Sequence, residues 1–99
     1  MEKYKLRDNR EKSRYEFDID GQVALIDYVK TPDGIIQLTH TEVPPQLEGR
    51  GIGTELVKQT LEDIERQGLR VVPLCGFVAA YIREHPEWER LVATEVFYY

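Results

Sequence analysis

Polar and apolar residues alternate strictly over residues 14–19, which predicts a strand with one buried and one exposed face. Asp20 and Gly21 follow, and this dipeptide is the strongest short signal for a hairpin turn. Residues 22–30 are rich in residue types that favour strands, so a second strand is expected there. Residues 1–13 are polar and aperiodic, and they are predicted to form a loose lead-in.

A second turn and a third strand come next. Residues 31–34 place proline and Asp-Gly where turn geometry favours them. Residues 35–43 form another strand-like run, and the prolines at 44–45 end it because proline cannot donate to a strand ladder. The three strands together predict an antiparallel meander.

The hydrophobic period changes after these prolines. Apolar residues recur at helical spacing over 51–67, which predicts one amphipathic helix that Gly68 ends. Its buried stripe is predicted to consist of Ile52, Leu56, Val57, Thr60, Leu61 and Ile64. Residues 69–74 are predicted to form a short strand, with Pro73 at its end.

Strand, helix and strand in this order predict a crossover between two parallel strands. A second helix is predicted over 76–84, followed by a short helical turn from Pro86. The tail 94–99 is expected to form a last edge strand or to pack against the sheet. The predicted fold class is α/β with a mixed sheet: a meander, a βαβ crossover and C-terminal helices.

Length and composition narrow the possible partners. Ninety-nine residues leave room for one core, so a single domain over 1–99 is expected. The net charge of −5 and the dispersed basic residues argue against a nucleic-acid partner. No apolar run approaches the ~20 residues that span a bilayer, so no membrane partner is expected. One cysteine cannot form an internal disulfide, which favours a reducing, cytoplasmic compartment.

Three glycines at alternating positions carry the first chemical signal. Gly49, Gly51 and Gly53 lie between the third strand and the predicted helix, where backbone N–H groups and the helix dipole favour an anion such as a pyrophosphate. A nucleotide P-loop needs a lysine after the last glycine, and Thr54 stands there instead. The glycine spacing of the dinucleotide-binding fingerprint is not matched, whether Gly49 or Gly51 is taken as its first glycine. A glycine-rich turn without a ligand stays open as an alternative.

The stretch 46–57 resembles the acyl-CoA loop of the GNAT acetyltransferase superfamily. That loop reads Gln or Arg, two variable residues, Gly, one variable residue, then Gly or Ala. The chain departs from it at Glu48, whose carboxylate would repel phosphates and is therefore expected to face away. Residues 71–88, with Pro-Leu-Cys-Gly-Phe and a later His-Pro, resemble the corresponding segment of the minimal GNAT-like group.

The resemblance implies acetyl-CoA, with coenzyme A as product, and no metal. Its pyrophosphate would be held by Gly49, Arg50, Gly51, Ile52, Gly53 and Thr54. The pantetheine arm would lie between the third strand and the strand after the helix, pairing with the backbone around Thr41 and Val43. Arg83 is a candidate for the nucleotide phosphate, with an ion pair to Glu87 as the alternative.

Two side chains on the third strand are candidate general bases. His40 is expected on the same face as Ile36 and Leu38, where its imidazole could take a proton from an amine near neutral pH. Glu42, two residues on, is expected to share that face and is the alternative base. A core position for His40 is the competing interpretation.

Two further candidates follow the last parallel strand. Cys75 is a catalytic candidate as an acyl carrier, a cofactor-binding candidate as a pocket wall, or an ordinary small buried side chain. The resemblance implies that Tyr81 is a candidate general acid for the departing thiolate, although it falls on an apolar helical face with Phe77 and Val78.

The leading functional hypothesis is an acyl-CoA-dependent N-acetyltransferase that moves acetyl to an unknown amine, either a small molecule or a protein. Direct attack is preferred over a ping-pong route through Cys75. The alternatives are a non-catalytic acyl-CoA-binding or sensing module, and a protein-interaction domain that binds no CoA. A monomer or weak dimer is expected.

Overall fold

Five strands form one mixed sheet in chain order. A computed structural model describes residues 3–93, and the tail expected at 94–99 lies outside the described residues. The strands are β1 (Arg7–Asn9), β2 (Arg14–Ile19), β3 (Gln22–Lys30), β4 (Ile35–Glu42) and β5 (Arg70–Pro73). The helices are α1 (Ile52–Arg66) and α2 (Gly76–Glu84), with 3₁₀ segments at Pro45–Leu47 and Pro86–Leu91.

The predicted meander and crossover are both confirmed. β2, β3 and β4 pair antiparallel, whereas β4 and β5 pair parallel with α1 between them in the chain. Asp20 and Gly21 both have positive φ, 54° and 79°, as the tight hairpin turn requires. Pro73 is the last residue of β5, where its missing N–H leaves no gap in the ladder.

The expectation of a loose lead-in is wrong, because Tyr4 and Leu6 pack against the core and a strand follows them. β1 pairs antiparallel with β2, which places Arg7 beside Glu16 at the edge of the sheet. Glu16 is 1% exposed and bonds to Arg7, Arg14 and Asn9. A polar strand carries no apolar period, so only its partner across the ladder reveals it.

The apolar stripe of α1 packs against one face of the sheet. All six predicted stripe residues of α1 are buried, and all but Thr60 belong to the main core cluster. Side chains from β2, β3 and β4 complete this cluster, as do Val78, Tyr81 and Ile82 of α2. We call this side of the sheet the helix face and the other side the open face. Among the described residues, no helix is long and apolar enough to cross a membrane.

Candidate functional site

β4 extends beyond the end of its parallel neighbour. The β4–β5 ladder ends where Leu38 lies beside Pro73. The backbone N–H groups of Leu74 and Cys75 then both donate to the carbonyl of Leu38, at 3.0 and 2.9 Å. β4 continues to Glu42 with β3 as its ladder partner, so a gap opens beside residues 39–42, at the carboxyl ends of two parallel strands where ligands commonly bind.

A cavity of about 510 Å³ lies at this gap. Three groups of residues form its wall. Among the described residues, the first group is Thr41, Glu42 and Val43, at the end of β4. The second group is Leu47 to Gly49 and Gly51 to Thr54, in the loop and the first turn of α1. The third is Phe77 of α2. The cavity therefore joins the predicted phosphate loop to the predicted path of the pantetheine arm. Arg50 is exposed and lies outside this lining.

The start of α1 suits an anion. Gly49 and Gly51 have φ of 83° and 72°, a region that disfavours other residues. Gly51 is the N-cap of α1, and no side chain caps the helix there. The first amides of α1 therefore lack a capping side chain, which leaves N–H donors for a phosphate. These features fit the pyrophosphate of CoA.

His40 does not lie on the face predicted for it. Leu38 pairs with Tyr28 but His40 pairs with Asp27, so the register slips by one residue at Thr39. This β-bulge turns every later side chain of β4 to the opposite face, because side chains alternate along a strand. His40 is accordingly exposed on the open face, whereas Leu38 is fully buried in the core. Both the expected face and the competing core position for His40 are wrong.

His40 and Glu42 nevertheless lie together, as predicted. The imidazole Nε2 is 3.2 Å from Oε1 of Glu42, and both side chains are exposed. A carboxylate at this distance can accept a hydrogen bond from the ring and orient it. Glu42 also contributes to the cavity wall, whereas His40 is not among the lining residues and borders the cavity only through Glu42.

Cys75 contacts the cavity through Thr41. The thiol lies 3.1 Å from the Thr41 hydroxyl, at the N-cap of α2. Burial raises the pKa of the Cys75 thiol, but hydrogen bonding from Thr41 and from the backbone at Val78 and Phe77 outweighs it and leaves that pKa below its ordinary value. Thr41 and Glu42 are neighbours on a strand, so they point to opposite faces. Cys75 lies on the side of α2, and His40 lies on the open face.

Tyr81 and Arg83 lie away from the cavity. Tyr81 is 8% exposed and stacks on His85 with ring centroids 4.1 Å apart. Burial raises the pKa of its phenol, with Trp88 as the main opposing influence. Arg83 lines a separate cavity of about 320 Å³ with Glu89, and within residues 3–93 it forms no ion pair with Glu87. The predicted Arg83–Glu87 pair is therefore absent.

Two further lining residues bear on what was expected from the sequence. Glu48 is exposed and contributes to the cavity wall, and the outward direction expected for its carboxylate stays a prediction. Phe77 was placed on an apolar helical face, yet it is 45% exposed and also lines the cavity. Position in the first turn of α2 does not distinguish Phe77 from its neighbour, because Val78, the next residue, is fully buried in the core.

Comparison with known proteins agrees with this geometry. A family model described as GCN5-related N-acetyl-transferase matches residues 14–91, which include the whole cavity wall. The chain belongs to the GCN5-related N-acetyltransferase family. Membership establishes acetyl transfer at the level of the family. Within residues 3–93, no group of three or more histidine, cysteine, aspartate or glutamate side chains is placed to hold a metal ion.

Several proteins of the family resemble the chain. It is 31% identical to Protein NATD1 of Mus musculus over 87 residues, covering 82% of this chain and 77% of the mouse protein. It is 36% identical to Protein NATD1 of Homo sapiens over 67 residues, covering 68% of this chain but 58% of the human protein. An NMR structure of a GCN5-like protein from Staphylococcus aureus superposes with a TM-score of 0.69 at 20% identity, covering 93% and 90% of the two chains. That structure supports the fold.

Proposed function

We propose that the chain is an acetyl-CoA-dependent N-acetyltransferase that moves acetyl to an amine by direct attack. The observation that supports this most is the continuity of the cavity. It runs from an uncapped, glycine-rich helix start to the part of β4 that extends beyond β5. An anion site and a strand edge meet there, as a ligand with a pyrophosphate and an extended arm requires.

In this proposal the first amides of α1 bind the pyrophosphate. Gly49 and Gly51 let the backbone turn without side chains in the way, and Ile52 to Thr54 supply the following amides. The backbone of β4 near Thr41 and Val43 binds the arm as an added strand, and its N–H groups are the candidates to polarise the thioester carbonyl. Acetyl-CoA supplies the activated acetyl group.

His40 acts as the general base, and Glu42 orients its ring. The acceptor ammonium loses a proton to the imidazole, and the neutral nitrogen then forms a bond to the acetyl carbon as the carbon–sulfur bond breaks. Because His40 and Glu42 are on the open face, the acceptor approaches from that side. Tyr81 is too deeply buried for us to assign it the protonation of the leaving thiolate, and solvent can supply that proton.

Binding is tested by thermal shift with acetyl-CoA, CoA and ATP. We expect both CoA compounds to raise the melting temperature and ATP to have a much smaller effect, because ATP lacks the arm. Absence of any shift with acetyl-CoA would remove the cofactor from the proposal and leave a protein-interaction domain as the better reading.

Turnover is tested by thiol release with a pool of peptides, polyamines and small amines. We expect His40→Ala to lower turnover by about a hundredfold or more, and Glu42→Gln by less, with CoA affinity almost unchanged. Val29→Ala is the control, since Val29 is exposed, pairs with Gln37 and does not line the cavity. If CoA bound but no acceptor were modified, the non-catalytic acyl-CoA-binding module would replace the enzyme.

The role of Cys75 is tested by intact-protein mass spectrometry after incubation with acetyl-CoA. Direct attack predicts no acetylated protein. An adduct that disappears in Cys75→Ala and passes its acetyl group to an amine would establish the ping-pong route instead.

A further inference from the structure

The ring of Phe77, in the first turn of α2, contacts the first turn of α1. Phe77 is the second residue of α2, and Gly53 is the second residue of α1. A Cβ placed on Gly53 would lie 2.9 Å from Cζ of Phe77 and 3.4 Å from a methyl carbon of Val43. The ring, the glycine backbone and the valine methyl therefore lie in contact at the cavity wall.

This contact is one reason why a side chain at residue 53 is unfavourable. Gly49 and Gly51 have positive φ, and a Cβ on either would meet nothing within 4 Å. Gly53 has no positive φ and lies inside a helix, where alanine would be favoured by about 1 kcal/mol. Its backbone conformation does not require glycine, so an added Cβ is opposed by the Phe77 ring beside it and, in the proposed function, by the pyrophosphate that approaches the Gly53 amide.

Phe77 also differs from the other exposed apolar side chains. Leu74 and Val29 are exposed to similar extents, 58% and 50% against 45% for Phe77. Neither contributes to the wall of the large cavity, whereas Phe77 does. Exposure alone is ordinary for single apolar residues. An exposed ring that forms one wall of a cavity, opposite a strand edge, offers apolar area to a ligand.

We propose that Phe77 is a binding residue for the neutral, sulfur-bearing arm of CoA, and that its ring holds the arm against β4. This inference rests on the proposed function. The arm is uncharged and partly apolar, so it gains from an aromatic wall beside the loop that binds the pyrophosphate. The nucleotide half is highly charged and gains little from that wall. Phe77 thus selects for ligands that carry the arm.

Calorimetric titration with two ligands tests this directly. One ligand is CoA; the other is 3′-phosphoadenosine 5′-diphosphate, the nucleotide half of CoA without the arm. We expect Phe77→Ala to weaken CoA binding about ten- to a hundredfold. The affinity for the nucleotide half should stay within about twofold. Phe77→Tyr should restore most of the CoA affinity, and Leu74→Ala should leave both affinities unchanged.

A double-mutant cycle gives a second, independent measurement. Gly53→Ala pushes a methyl group into the Phe77 ring, so it should weaken CoA binding when Phe77 is present. The same change should cost much less in the Phe77→Ala protein, because the clash is gone. Circular dichroism spectra confirm that each variant is folded.

The outcomes separate the two hypotheses. If the unsubstituted protein bound CoA but Phe77→Ala lost nothing, or lost both ligands equally, this inference would be overturned and the proposed function would stand. If the unsubstituted protein did not bind CoA, the proposed function would fail first, and this inference with it.

Discussion

The two halves of β4 have opposite characters within a single strand. Residues 35–38 pair with β3 on one edge and β5 on the other, and Ile36 and Leu38 are fully buried. Residues 39–42 have β3 as their ladder partner, and Thr39, His40 and Glu42 are exposed. The bulge at Thr39 separates the two halves.

This difference shows which part of the strand has groups available to bind a ligand or to take part in a reaction. The first half has a neighbouring strand on each edge, so its side chains stabilise the core and contact few groups outside it. The second half has a strand edge beside a cavity and side chains on two faces. One face carries His40 and Glu42, and the other carries Thr41 against Cys75. A site that needs backbone donors and side chains together fits only this second half.

The largest expected effect compares stability in the two halves. Leu38→Ala should lower the free energy of unfolding by about 2–5 kcal/mol, because it leaves a cavity in a packed core. His40→Ala should stay within about 0.5 kcal/mol of the unsubstituted protein, since its side chain is exposed. Urea denaturation measures both. Equal losses in the two variants would break the comparison.

The pH dependence of stability in acid should differ between two glutamates, one buried and one exposed. Burial raises the pKa of Glu16, but bonds from Arg7, Arg14 and Asn9 outweigh it and lower that pKa from 4.5 to about 2. A carboxyl group with a lowered pKa stabilises the folded state at pH values above its ordinary pKa. This contribution to the free energy of unfolding is lost as pH falls from about 4.5 to about 2. Unfolding measured across that range should show a shallower decline for Glu16→Gln than for the unsubstituted protein.

Glu42→Gln is the matched control for this experiment. Glu42 is exposed on the second half of β4, whereas Glu16 is buried on β2, so Glu42→Gln should change the free energy of unfolding by no more than about 0.5 kcal/mol. A curve for Glu42→Gln that resembled the curve for Glu16→Gln would mean that the exposed half also carries structural charge.

A smaller effect concerns the thiol beside Thr41. The Thr41 hydroxyl lowers the pKa of Cys75, so Thr41→Val should raise that pKa and reduce the thiolate fraction at a given pH. The pH profile of alkylation by iodoacetamide should move to higher pH, and Thr41→Ser should restore it. A profile that Thr41→Val leaves in place would show that the helix start alone sets the reactivity of Cys75.

The smallest expected effect concerns the cavity wall at Glu48. Removing one negative charge near a bound pyrophosphate should tighten CoA binding by up to about fivefold, in line with about 1 kcal/mol between solvated charges. Titration of Glu48→Gln with CoA at low salt measures this, and the gain should shrink as salt is raised. Weaker binding by Glu48→Gln would mean that the carboxylate has a favourable role at the site.

Much of the framework was predictable because its signals are local. The stripe of α1 repeats within one helix, and all six of its residues are buried as predicted. Asp20 and Gly21 specify their own turn, and Pro73 ends its own strand. The glycine loop at the start of α1 is equally local, since neighbouring backbone geometry produces it.

What the sequence determined by itself is therefore the order of strands and α-helices from β2 onward, the helix stripe and the loop at the start of α1. Tertiary structure alone decided the face of His40, because a bulge of one residue at Thr39 exists only in the register with β3. It also decided that the polar segment at Arg7–Asn9 is a strand, and that the ring of Phe77 lies over Gly53. Each of these depends on a partner distant in the chain, and no local pattern of polar and apolar residues encodes that partner.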